Sequence, residues 1–151
     1  NKTSLRATLQ TNHGGLSMIT LAEVRDWIKT FNAANNYYIG KLDNKQENSI
    51  GIYQRKTIDG PRVAIGGRSL ASYDVKSISI LIHWNKNANE TEKRAQYLYN
   101  RLFEVESVVI GETPIKMIAL LQNEPVDVGT DDNNVYERVI ELDLYYEREG
   151  N

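Results

Sequence analysis

The stretch SISILIHWNKNANETEKRAQYLYNRLF, residues 77–103, constrains the fold of this chain more than any other. In its first half Ile78, Ile80, Ile82 and Trp84 alternate with Ser77, Ser79 and His83, interrupted by Leu81. That is the period of a strand that buries one face. After a polar turn the period changes. Ala95, Leu98, Tyr99, Leu102 and Phe103 recur at the three- and four-residue spacing of an amphipathic helix, with Asn89 and Glu92 spaced as a capping box at its start. The joint between strand and helix is where open α/β sheets keep their ligands. His83 and Trp84 at that joint therefore raise the question of a catalytic corner.

The flanking segments decide what this unit packs into. Thr20 and Glu23 form a first capping box, and Leu21, Val24, Ile28 and Phe31 follow at helical spacing, ending near Asn32, Asn35 and Asn36. Strand patterns come next, at 37–42 and at SIGIYQR, residues 49–55, where Ile50 and Ile52 share a face. PIKMIALLQ, residues 114–122, is apolar on both faces, which predicts a central strand or one covered by a neighbouring subunit. Residues 127–134 read as a polar loop, and 135–148 as a long strand with Tyr136, Ile140, Leu142, Leu144 and Tyr146 on one face. The predicted order is α-β-β-β-α-β-β. It is an α+β fold: a mostly antiparallel sheet with two helices packed on one face.

A chain of 151 residues with 40% apolar side chains fits one domain with its own core. The first seventeen residues are polar and follow neither period; they read as a vector-derived or upstream-translated leader, with the single domain running over 18–151. Cysteine is absent, which excludes disulfides, thiolate metal sites and a cysteine nucleophile, and suits a reducing cytosol. No apolar run approaches the roughly 18 residues of a membrane span. The net charge of −2 hides an asymmetry. From Glu104 onward twelve acidic residues face three basic ones, whereas residues 18–103 carry thirteen basic and eight acidic.

The candidate sites differ in how far they carry chemistry. A general base needs an acid, a nucleophile or an oriented water within reach. The other histidine, His13, lies in the leader, so His83 reads as a packed or surface residue and Trp84 as packing. The stretch DVGTDDNNVYE puts Asp131 and Asn133 at calcium-loop spacing, but Val135 takes the third ligand position and Tyr136 replaces the glycine. Gly66-Gly67-Arg68-Ser69 lacks the Lys-Ser/Thr ending of a phosphate loop. Glu137, Glu141, Asp143 and Glu147 alternate on one face of the last strand, about 6.5–7 Å apart at the backbone, a spacing open to paired-carboxylate catalysis and equally to a solvated face. No cofactor is implied. Eight tyrosines, among them Tyr37, Tyr38, Tyr145 and Tyr146, fall in predicted strands or the second helix. Paired tyrosines cannot all point inward, which fits protein–protein contact as well as it fits β propensity.

The opening MITLAEVRDWIKTF, the SIGIYQR strand, the glycine-bearing PRVAIGGRSLASYD, the strand–helix unit ISILIHWNKNANETEKRAQYLYNRLF and the long final strand occur in this order between Met18 and Arg148. In size, order and character they resemble the tail-terminator family of long-tailed bacteriophages, also known as bacteriophage minor capsid proteins. The resemblance implies a sheet flanked by helices and a structural protein of the virion with no catalytic residue. It implies a hexameric ring that caps the finished tail tube and docks onto the head connector, while DNA passes through without specific binding. Its partners would be further copies of itself, the tail tube protein and the head-connector protein, with no membrane involved. A ring joins one patch to a different patch on the next copy, and the charge asymmetry suits such a junction. Lysines and arginines would grip DNA, whereas Glu137, Glu141, Asp143 and Glu147 facing a pore would repel it.

Lys56–Tyr73 is long, weakly periodic and locally basic, and is expected to order against a neighbouring subunit or the tube. The interface is thus expected at Arg55, Arg62, Arg68 and Tyr73, and at the four carboxylates. Two alternatives from other classes are a small cytosolic enzyme using acidic residues of the last strand and a regulatory protein-binding module.

Overall fold

The computed structural model describes residues 18–40, 46–56 and 73–147. The elements are α1 (Leu21–Lys29), β1 (Asn36–Ile39), β2 (Ser49–Gln54), β3 (Tyr73–His83), α2 (Ala88–Phe103), β4 (Val108–Ile110), β5 (Thr113–Leu120), β6 (Val126–Thr130) and β7 (Tyr136–Glu147). The strands form one seven-stranded sheet in the order β1-β2-β3-β7-β5-β4, with β6 also paired to β7. Among the described strands only β1 and β2 pair in parallel; the other pairings are antiparallel. This is the α+β architecture that the hydrophobic periods predict.

Strand alternation sorts the sheet into two unlike faces. On the inner face Ile52, Ile80 and Ile140 stand side by side across β2, β3 and β7, with Ile50 beside Ile82 and Ile78 beside Leu142 in neighbouring rows. All seven are buried. Val24, Trp27 and Ile28 of α1 and Ala95, Leu98 and Leu102 of α2 close over these rows in a single apolar cluster. Each such side chain contributes about 1.5–3 kcal/mol on leaving water, so this cluster is what holds the helices to the sheet. α1 lies over β1, β2 and β4, and α2 over β3 and β7.

The helix starts follow from their caps. Thr20 accepts the Glu23 N–H at 3.1 Å while Glu23 accepts the Thr20 N–H at 3.0 Å, the predicted reciprocal box. At α2 the cap falls earlier than the Asn89–Glu92 spacing predicts. Asn87 is the cap, its Oδ1 accepting from the Glu90 N–H at 3.0 Å. Asn85 decides the matter, because its side chain donates to Glu90 Oε1 at 2.8 Å and accepts from the Asn87 N–H at 2.9 Å, holding the turn before Ala88.

Two strands lie outside the predicted order. β4 has only three residues, too few for a period to register. β6 occupies part of the predicted polar loop, and every one of its side chains is exposed. Asp127 and Gly129 have poor strand propensity, and the main-chain ladder to β7 overrides it, with a register shift between them. β5 and β6 run in the same direction along β7, one after the other, and residues 121–125 bulge out between them. The bulge is fastened by the Leu121 N–H to the Glu141 carbonyl (3.0 Å) and by the Tyr99 hydroxyl to the Gln122 carbonyl (2.6 Å). β5 is flanked on both sides, by β7 and β4, and Ile115 faces the core while Met117, and Leu121 just beyond the strand, are exposed on the other face.

Candidate functional site

The sheet face away from the helices is built of alternating apolar and polar rows. Val75, Tyr145 and Met117 form one row across β3, β7 and β5, and Leu81, Val139 and Val126 form another across β3, β7 and β6. Met117, Leu121 and Val126 are exposed, as is Tyr73 at the start of β3.

Between and beyond these rows lie the four carboxylates of β7, on the outer face as their spacing predicts. Three are already engaged. Asp143 is salt-bridged to Arg55, which reaches it over Ser77 of β3. Glu141 accepts from Gln122 Nε2 at 3.0 Å. Glu137 meets His83 Nδ1 at 2.7 Å. Glu147 is the exposed one, 3.7 Å from Lys116 Nζ. The predicted open acidic face is thus an internally satisfied one, because β2, β3 and the 121–125 bulge bring partners that no local spacing reveals. Arg62 and Arg68 lie outside the described residues.

His83 is fully buried at the end of β3. Backbone hydrogen bonds from Trp84 N–H to the Tyr136 carbonyl (3.1 Å) and from Tyr136 N–H to the Asn85 carbonyl (2.8 Å) fix this end against β7. The ring faces Glu137 through Nδ1, and its Nε2 stands 3.8 Å from Asp131 Oδ2 in the β6–β7 turn. Asp131 Oδ1 accepts from the N–H groups of Asn133 and Val135, both at 2.9 Å. Desolvation acts to raise the Asp131 carboxyl, but those two N–H groups and the neighbouring His83 outweigh it and hold the group below its ordinary value. Trp84, expected as packing, is half-buried against the core, with the Arg94 guanidinium 5.1 Å from its ring centre.

The depressions of this surface are polar. One is lined by Gln54, Arg55, Lys56, Val75, Lys76 and Ser77, and another by Arg25, Asp26, Lys29, Asn35, Asn36, Tyr37 and Tyr38. Neither resembles the concave apolar pocket that holds a small substrate. At the first, burial lowers the Lys76 ammonium from its ordinary value, opposed by the Glu23 carboxylate.

A family profile described as bacteriophage tail terminator protein matches residues 12–148, which spans every described element. The chain belongs to the bacteriophage tail terminator family. No curated protein matches it significantly. The terminator is therefore a structural component of a phage tail, as the resemblance in its sequence implies. Among the described residues, no helix of the terminator is long and apolar enough to cross a membrane. In this terminator the His83–Glu137 contact is the feature that sequence reasoning missed. Both residues carry the outward parity of their strands, but only the β3–β7 register, which aligns His83 with Glu137, brings them together.

Proposed function

We propose that this terminator closes the tail tube as a ring of six copies of itself, without enzymatic activity, and offers the surface on which the head connector docks. The observation that carries the reading is the bare sheet face: the inner face packs under two helices, while Tyr73, Met117, Leu121 and Val126 stand exposed on the other. A neighbour meeting that face covers apolar area between polar groups that already have partners, so little charge must be stripped of water. β6 adds a second handle, since among the described residues it pairs with β7 alone and its outer edge is open. An unpaired edge is a ready template for another chain. Bare face and open edge differ from the helical side, as the head-to-tail contacts of a closed ring require.

On this reading Arg55 and Asp143 stiffen the contact face, and Tyr73 and Glu147 touch the neighbour. DNA passes without a specific grip, and its repulsion rests on Glu147 and the acidic excess beyond Glu104 more than on the paired carboxylates. The protein acts in the virion at the head–tail junction, after assembly in the host cytoplasm. Electron microscopy of purified tail tubes mixed with the protein tests the proposal. A cap at one end, sixfold when viewed down the tube, is the expected result. Tubes that stay bare and continue to lengthen would overturn it.

A further inference from the structure

His83, Glu137 and Asp131 come together where the end of β3 meets the β6–β7 turn. Glu137 Oε2 lies 2.7 Å from His83 Nδ1, so a neutral ring that turns its proton to Glu137 leaves a lone pair on Nε2. That lone pair faces Asp131 Oδ2, so two acceptors confront each other. Both atoms are buried without a hydrogen-bond partner. Among the described ion pairs, neither carboxylate is met by a lysine or arginine. A buried imidazole nitrogen without a partner, beside two half-buried carboxylates, is costly unless a cation joins them.

We propose that the gap takes a divalent cation of the zinc class, with His83 Nε2 and Asp131 Oδ2 as its protein ligands and water completing the coordination. An imidazole nitrogen and a carboxylate oxygen on one tetrahedral zinc, at ~2.0–2.2 Å each, stand roughly 3.3–3.5 Å apart. The observed 3.8 Å needs only a small closure. A second proton on the ring fits less well, because its hydrogen bond to a carboxylate wants about 2.7–2.9 Å. The Asn133 and Val135 N–H groups that hold the other oxygen of Asp131 oppose a swing of that length. The ligand atoms of all three residues lie within 4.8 Å of one another, and Glu137 takes the place of the outer carboxylate that orients a metal-bound histidine. Asp132, Asn133 and Asn134 of the turn are exposed, which gives the ion and its water a way in. A bound ion ties the β6–β7 turn to the end of β3.

The test uses the full chain, stripped with a chelator and titrated with zinc chloride, with magnesium chloride as control. One zinc per chain by elemental analysis and a rise of a few degrees in melting temperature are expected, with cobalt(II) giving a tetrahedral absorption band. Asp131→Asn keeps the Oδ1 acceptor and offers Nε2 a donor, so it should fold yet lose the zinc response. Glu137→Gln should weaken zinc binding by about 10-fold or more. A wild-type chain that ignores zinc, or an Asp131→Asn chain that responds equally, would overturn the proposal. The first of those results would leave a proton in the gap.

Discussion

Arg55 at the end of β2 and Asp143 in β7 form an ion pair across the intervening strand, joining three strands on the face that no helix covers. Their side chains are 19% and 13% exposed, so the pair is largely withdrawn from water. Removing one partner leaves the other charge stranded. Arg55→Met or Asp143→Asn should each cost about 2–4 kcal/mol. The double variant should cost less than the sum of the two, as a coupling measured in urea melts.

The cap of α2 separates two asparagines that the sequence makes equivalent. Asn87→Ala should lower stability by about 1 kcal/mol, because the Glu90 N–H loses its acceptor. Asn89→Ala lies inside the helix and should stay within about 0.5 kcal/mol of the parent. Equal losses in chemical denaturation would contradict the observed cap.

Gly111, between β4 and β5, has φ of 64°, and a Cβ there would overlap the Glu23 carboxylate. Glu23 cannot retreat freely, because it closes the α1 capping box. Gly111→Ala should cost about 1–3 kcal/mol. Within a Glu23→Ala background, which itself loses the capping box, Gly111→Ala should cost less, only the part due to backbone strain, a split that thermal melts of the four chains resolve.

Burial lowers the Lys76 ammonium below its ordinary 10.5, with the Glu23 charge opposing. The unfolded chain therefore binds this proton more tightly than the folded one. Its contribution to stability rises as pH climbs through the lowered folded value toward 10.5. Lys76→Met should be more stable than the parent at pH 7, with a gap that narrows in urea melts at alkaline pH. A gap that widens there would reverse the sign.

Met117 stands 52% exposed on the bare face. Met117→Glu should leave the melting temperature of the isolated chain nearly unchanged and reduce capping of tail tubes by at least 10-fold. If capping persists, the contact lies elsewhere.

Much of the fold was legible because burial writes its own period. Ile78, Ile80 and Ile82 and the α2 stripe announce both their elements and the faces they bury, and the core uses them as they read. β6 was illegible for the complementary reason: a strand with every side chain in solvent leaves no apolar alternation, only a ladder that depends on β7. The outer face was half legible. Strand parity puts Glu137, Glu141, Asp143 and Glu147 on one side, yet whether they repel or are satisfied depends on Arg55, Gln122 and His83, each brought in by the tertiary fold.

β7 lies between β3 on one side and the β5–β6 run on the other along most of its length. The strand at the middle of the sheet is also the last of the described strands to leave the ribosome. Until residue 147 has been synthesised, β3, β5 and β6 have no common neighbour, and their apolar rows wait without a partner. Closure of the sheet thus waits for the end of the described chain, and a nascent chain stalled before β7 should bind chaperones and be cut by protease faster than the finished one.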